Sequence, residues 1–251
     1  MLNQKESKAP NCRKSLVRVR FTSSGDEKAY FNNLFDLHCG DIVYVEGRYE
    51  GQPGHIVDIN YNFKIKPSDY NRVIAVADTT VHGKFFVEGL YFMTFDREVI
   101  PKSKIRSWFI PPLFEEYEVG YDDSTFSLDD LRGMKVHEEV ASRGYNYFIN
   151  NYVKYISIDG NDGYAIVRGE TNYEVEFTFC DGKISHLVCT CPYDLNCKHE
   201  YATMLLLKDM LEKINKDYAL EYERSGYFAA VAKDSMFAYV VNGREKGIFE
   251  L

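Results

Sequence analysis

No apolar run in the sequence approaches the roughly 18 residues a membrane helix needs; runs such as Val73 to Ala77 and Met204 to Leu207 are far shorter. The opening residues Met1 to Lys8 also lack the apolar core of a secretory signal. A cytoplasmic location without a membrane partner is the expectation. A phosphate-binding glycine loop, a dinucleotide fingerprint, a His-Glu-x-x-His motif and a nucleophile elbow are all missing. An enzyme reading therefore has no residues to stand on, and no catalytic residue is assigned. Repeats of fixed period and low-complexity stretches are absent as well. Six cysteines are too few to staple 251 residues into a disulfide scaffold, so their spacing must decide between metal binding and redox chemistry. There is one tryptophan, against 20 tyrosines and 17 phenylalanines, a balance that suits half-buried strands.

With 45% hydrophobic and 27% charged residues, the chain is long and apolar enough for one large folded domain or two smaller ones. The net charge of −8 is unevenly spread: residues 1–112 hold 16 Lys+Arg against 13 Asp+Glu, and residues 113–251 hold 14 against 25. Pro111-Pro112 and the acidic residues from Glu115 to Asp130 mark the change and read as a linker over 113–130.

Residues 1–112 read as short strands. Val17, Val19 and Phe21 alternate with Arg18 and Arg20, and further runs lie at 41–47, 55–59, 72–76 and 84–88, each bounded by Gly, Pro, Asp or Asn. A small barrel or curled sheet is expected. The run Gly40-Asp41-Ile42-Val43-Tyr44-Val45 resembles the strand Gly-Asp-x-Val-x-Val of small SH3-like and OB-like barrels, including domains of replication-restart proteins. In the second half the sequence predicts a helix over 128–142, capped by Ser127, and then a meander of strands at 152–158, 164–167, 173–179 and 184–190. From Lys198 the period becomes helical, with Met204, Leu207, Leu211 and Ile214 on one stripe. The tail, 217–251, reads as a hairpin turning at Asn242-Gly243.

One constellation carries chemistry. Cys189-Thr190-Cys191-Pro192-Tyr193-Asp194-Leu195-Asn196-Cys197-Lys198-His199 spells C-x-C-x5-C-x-H. Cys189 and Cys191, two apart on a strand, share a face; Pro192 ends the strand; Cys197 and His199 open the helix, with Asn196 as its expected N-cap. Three thiolates and an imidazole form a familiar tetrahedral Zn2+ set, and with all four positions taken by protein the metal is expected to be structural. The motif and the apolar helix behind it resemble the SWIM zinc finger, a family of modules found in bacterial DNA-translocating ATPases and mutator-type transposases. The likeness runs over roughly 130–215. It implies a ββα-type finger at 131–216 and a role in binding nucleic acid or protein; together with the strands of 1–112 the expected fold class is α+β, an N-terminal small β-barrel-like domain followed by a β-meander with that finger.

His186 lies three residues before Cys189, on the opposite strand face, and is left out of the ligand set. Cys180 reads as a free thiol, and the His38-Cys39 pair has no geometry for catalysis. Candidate phosphate contacts are Arg18, Arg20, Lys64, Lys66, Lys102, Lys104 and Arg106, with Tyr61, Phe63 and Trp108 near them in sequence. The same cations also fit the solvated side of a half-exposed sheet. Two partners stay open: DNA or RNA met by the mildly basic first half, or a basic surface of a protein such as a DNA-translocating ATPase met by the acidic second half.

Overall fold

The computed structural model describes residues 12–111, 120, 124–193 and 196–241. The first half builds a five-stranded antiparallel sheet from β1 (Ser15–Phe21), β2 (Glu27–Asn32), β3 (Ile42–Val45), β4 (Gly54–Asn60) and β5 (Val73–Val76), in the order β2-β1-β4-β3-β5. Alternation in β1 acts as expected: Val17, Val19 and Phe21 are buried while Arg18 and Arg20 face solvent. Phe21 stacks on Tyr49 with ring centroids 4.1 Å apart, inside a core that includes Val43, Val45, Ile56 and Val73. The expected barrel does not close. Its edge strands β2 and β5 meet at a single parallel bridge between Phe31 and Arg72, because Phe31 N–H reaches the Asn71 carbonyl but no ladder continues from it.

The chain then enters a second, larger sheet earlier than the expected linker. β6 (Phe86–Glu88) and β7 (Tyr91–Thr94) precede α1 (Lys102–Phe109), most of the expected linker over 113–130 lies outside the described residues, and the next element is β8 (Thr125–Ser127). A helix over 128–142 does not form as expected. Asp130 caps a short 3-10 turn at Leu131–Met134 by accepting from Arg132 N–H, Lys135 then adopts φ 54°, and only afterwards does α2 (Glu138–Ile149) begin. The left-handed Lys135 ends one helical turn and re-aims the next.

The meander follows the sequence expectation closely: β9 (Val153–Asp159), β10 (Asp162–Arg168), β11 (Asn172–Cys180) and β12 (Lys183–Cys189). Next come α3 (Lys198–Asp217), α4 (Ala219–Ser225), β13 (Tyr227–Ala232) and α5 (Lys233–Met236). Instead of a hairpin arm, Phe237–Val241 forms a π-helical turn; the Asn242-Gly243 step lies outside the described residues. The tail instead supplies β13, which inserts between β7 and β9 in an eight-stranded antiparallel sheet ordered β6-β7-β13-β9-β10-β11-β12-β8. Its run Tyr-Phe-Ala-Ala-Val-Ala is buried throughout, as a central strand covered on both faces must be.

One face of this sheet packs on α3, where Met204, Leu207 and Ile214 are fully buried and Leu211 partly so, against Ile156, Ala165, Val175 and Phe228. The opposite face packs on α1 and the 77–100 segment. There Trp108 is fully buried beside Tyr155, Ile166 and Val231. Trp108 also joins the two sheets: Tyr44 of β3 donates its hydroxyl to the Trp108 carbonyl at 2.8 Å, and the indole N–H donates to the Asp78 carbonyl at 2.6 Å. No helix among the described residues is long and apolar enough to cross a membrane.

Candidate metal centre

The β11–β12 hairpin delivers the first two thiols. β12 ends at Cys189, yet the chain stays clamped to β11 one residue further: Thr190 N–H donates to the Glu174 carbonyl at 3.0 Å, and Glu174 N–H donates to Thr190 Oγ1 at 2.9 Å. The second pair opens α3. Cys197, and not Asn196, is the N-cap; its Sγ accepts from Glu200 N–H at 3.5 Å while Glu200 Oε2 accepts from Cys197 N–H at 2.7 Å. This is a capping box with sulfur in place of a hydroxyl. The Asn196 amide is drawn away to donate to the Met134 carbonyl. One sulfur thus serves the helix terminus and the cluster together.

The donor atoms of Cys189, Cys191, Cys197 and His199 all lie within 4.8 Å of one another. His199 Nδ1 stands 3.8 Å from Cys189 Sγ and 3.6 Å from Cys197 Sγ. A tetrahedral zinc bonded to sulfur and nitrogen at ordinary lengths holds those atoms about 3.6 Å apart. The residues therefore fit the ion they were expected to bind, with Nδ1 as the imidazole donor. The ring is fixed from both sides, by Tyr173 with centroids 4.6 Å apart and by the edge of Tyr147 at 5.4 Å, and its Nε2 is buried without a protein partner.

Two glycines allow this packing. A Cβ on Gly169 would stand 2.6 Å from the Tyr173 ring and 3.2 Å from His199 Nε2. A Cβ on Gly144 of α2 would stand 2.8 Å from the Tyr201 ring and 3.0 Å from the Lys198 carbonyl, so only glycine lets α2 lie this close to the first turn of α3.

In the metal-free chain the three sulfurs share protons unequally. Cys189 donates to both other sulfurs, which pushes its own thiol well up. Accepting that bond brings Cys191 down to about 6. Cys197, accepting from Cys189 and bonded to His199, falls to about 4. These shifts favour the thiolate at Cys191 and Cys197 and the thiol at Cys189. Burial, and then the Cys197 thiolate, push Glu200 up to about 9 in the same metal-free chain. The Lys198 ammonium, next to Cys197 in sequence, lies 4.7 Å from the centroid of the Tyr147 ring.

The structure distributes the candidate phosphate contacts differently. Arg18 pairs with Asp58 at 2.9 Å, Arg20 with Glu27 at 2.5 Å, Lys102 with Glu176 at 2.6 Å, and Arg106 with Glu174 at 2.8 Å. Lys104 donates to the Thr80 carbonyl at 2.6 Å and lies 3.7 Å from Asp78. Only Lys64 and Lys66 of the seven are exposed with no ion pair among the described residues. Trp108 is core, not a platform for a base; Tyr61 is exposed, with the Arg13 guanidinium 4.1 Å from its ring. Cys180, Cys39 and His38 are exposed and apart from the cluster, and His186 is exposed on the far side of β12.

Sequence reading missed Glu200, Tyr147, Tyr173 and the two glycines. Glu200 had a local signal, Cys197-x-x-Glu200 in capping-box spacing, while the others reach the site only through tertiary packing. No protein-family model, curated protein or solved structure matches this chain, so the likeness to a SWIM finger stands on the four donor residues and their strand-to-helix setting.

Proposed function

We propose that the chain is a non-enzymatic, zinc-stabilised interaction module whose metal fixes the end of β12 to the start of α3. The observation that carries this reading is the closed donor set: three sulfurs and one nitrogen within 4.8 Å, all from the protein, with two of the four side chains buried. A site with four protein ligands offers no open position for substrate or water and serves architecture. The bound ion would neutralise two of the three thiolate charges and crosslink the end of β12 to the start of α3. The exposed free thiols Cys39 and Cys180 suit a reducing, cytoplasmic setting.

Between the two partners, a protein with a basic surface is favoured, such as the DNA-translocating ATPases that the SWIM likeness brings in. Five of the seven basic candidates are already engaged by carboxylates or a carbonyl of the same chain, and the net charge of −8 repels phosphate at long range. Contact with DNA or RNA is a second reading, resting on Lys64, Lys66 and Tyr61.

Elemental analysis of the tag-free protein tests the first claim, with one zinc per chain expected; no stoichiometric metal would end it. Titration with single- and double-stranded DNA at two salt concentrations separates the partners, since phosphate contact predicts a steep fall in affinity with salt. Binding abolished by Lys64→Glu with Lys66→Glu would favour the second reading.

A further inference from the structure

The two faces of the large sheet are covered unequally. α3 packs on one face; on the other, α1 and the 77–100 segment pack over Tyr155, Tyr164, Ile166 and Val231 and leave a cleft beside them. Beyond Tyr155 and Tyr164 the alternation brings Ser157 and Asp159 of β9, Asp162 of β10, and Glu176 and Thr178 of β11 onto that face. These residues line a cleft of about 660 Å3, bounded on one side by the 97–102 segment. The Tyr155 and Tyr227 hydroxyls hold that segment by donating to the Ile100 carbonyl at 3.3 Å each.

The cleft holds two cations of its own, each in the same kind of seat. The Lys102 ammonium lies 4.3 Å from the centroid of the Tyr164 ring and 2.6 Å from Glu176, the residue paired with Tyr164 across the strands. The Arg97 guanidinium lies 5.2 Å from the Tyr227 ring centroid and 2.7 Å from Asp159. Aromatic face plus carboxylate is a strong pairing for an ammonium or guanidinium group, because the ring quadrupole and the charge act together. Yet the two cations do not balance the cleft. Glu98, Asp162 and His186 also line it, and neither of these carboxylates has an ion pair among the described residues, so four carboxylates face Arg97, Lys102 and one imidazole.

We propose that this cleft is the docking site for a lysine- or arginine-rich segment of a partner protein, whose side chains meet Asp162 and Glu98 beside the tyrosine-backed seats of Arg97 and Lys102. The volume accommodates several side chains. The unpaired carboxylates of Glu98 and Asp162 complement the charge of such a segment. The inference deepens the adaptor reading above, naming the face and the chemistry that reading leaves open.

The test uses the full-length, metal-loaded chain and a fluorescein-labelled peptide of alternating lysine, arginine and serine, followed by anisotropy. A Lys/Arg→Gln version of the peptide and spermidine serve as parallel probes. Binding of the basic peptide is expected, weakening with salt and falling at least tenfold in Asp162→Asn with Glu98→Gln. The charge-matched variant Glu212→Gln with Glu223→Gln, on α3 and α4, should bind as wild type does. Equal losses in the two double variants would reduce the effect to net charge and overturn the proposal, as would spermidine binding as tightly as the peptide. Metal content and melting are measured on the same samples. An intact, zinc-loaded protein that ignores the peptide refutes the cleft and leaves the metal's structural role standing, whereas failure of the metal reading shows first as missing zinc.

Discussion

The two sheets solve the problem of stability in different ways. The five-stranded sheet packs over its own apolar core, with Phe21, Val43, Val45 and Ile56 fully or nearly fully buried and its polar surface tied by exposed pairs such as Arg18–Asp58. The eight-stranded sheet has a larger core but must also hold a strand end against a helix start, and there the chain places four metal donors instead of apolar side chains. The difference teaches where each half is vulnerable: the first to loss of packing, the second to loss of the ion proposed for its Cys/His cluster.

Removing the ion should break the comparison most sharply. Metal-coupled folding of small zinc sites runs to about 10 kcal/mol, so Cys197→Ala or a strong chelator should strip protection from α3 and β12 in hydrogen exchange while β1 and β4 keep theirs. Equal loss in both sheets would mean that they unfold as one unit. The same metal also reports on the sulfurs. Because Cys191 and Cys197 are already depressed to about 6 and about 4, and Cys189 alone is raised, zinc uptake at pH 7 should release about one proton in a pH-stat. Ordinary thiols would release three.

Trp108→Ala comes next. It empties the fully buried site that joins the sheets, at a cost of about 3–5 kcal/mol, and denaturant melts should separate into two transitions where wild type shows one. A smaller effect is expected from Gly144→Ala. The new methyl meets the Lys198 carbonyl and the Tyr201 ring, so α2 must move off the first turn of α3 at about 1–3 kcal/mol. Competition with a chelating dye should show weaker zinc retention. Smallest is Arg18→Ala, which removes an exposed pair worth at most about 1 kcal/mol and should leave the melting temperature almost unmoved.

How far these features could be read in advance follows from their range along the chain. The meander from Val153 to Cys189 was legible because Asp-Gly and Asn-Asp-Gly turns sit between β-rich runs. Cys189, Cys191, Cys197 and His199 were legible because all four fall within eleven residues. The helix at 128–142 was misplaced because the cap signal at Ser127 was real in kind but lost to a 3-10 turn capped by Asp130. The strand at the start of the tail was missed for a different reason. Tyr227–Ala232 is apolar at every position, so it shows no alternation from which to read a strand or its partners.

The sequence by itself determined the donor set, the stripe of α3 and the alternation of β1, since strand and helix periods and short ligand spacings are written in neighbouring residues. Only the tertiary structure decided that β6, β7 and β13 join the meander, that Glu27, Asp58, Glu174 and Glu176 claim the cations, and that one face of the large sheet keeps a cleft. Those outcomes depend on which distant surfaces exclude water from each other, with pairings as far apart as Arg18 and Asp58 or Lys102 and Glu176, and no local pattern records them.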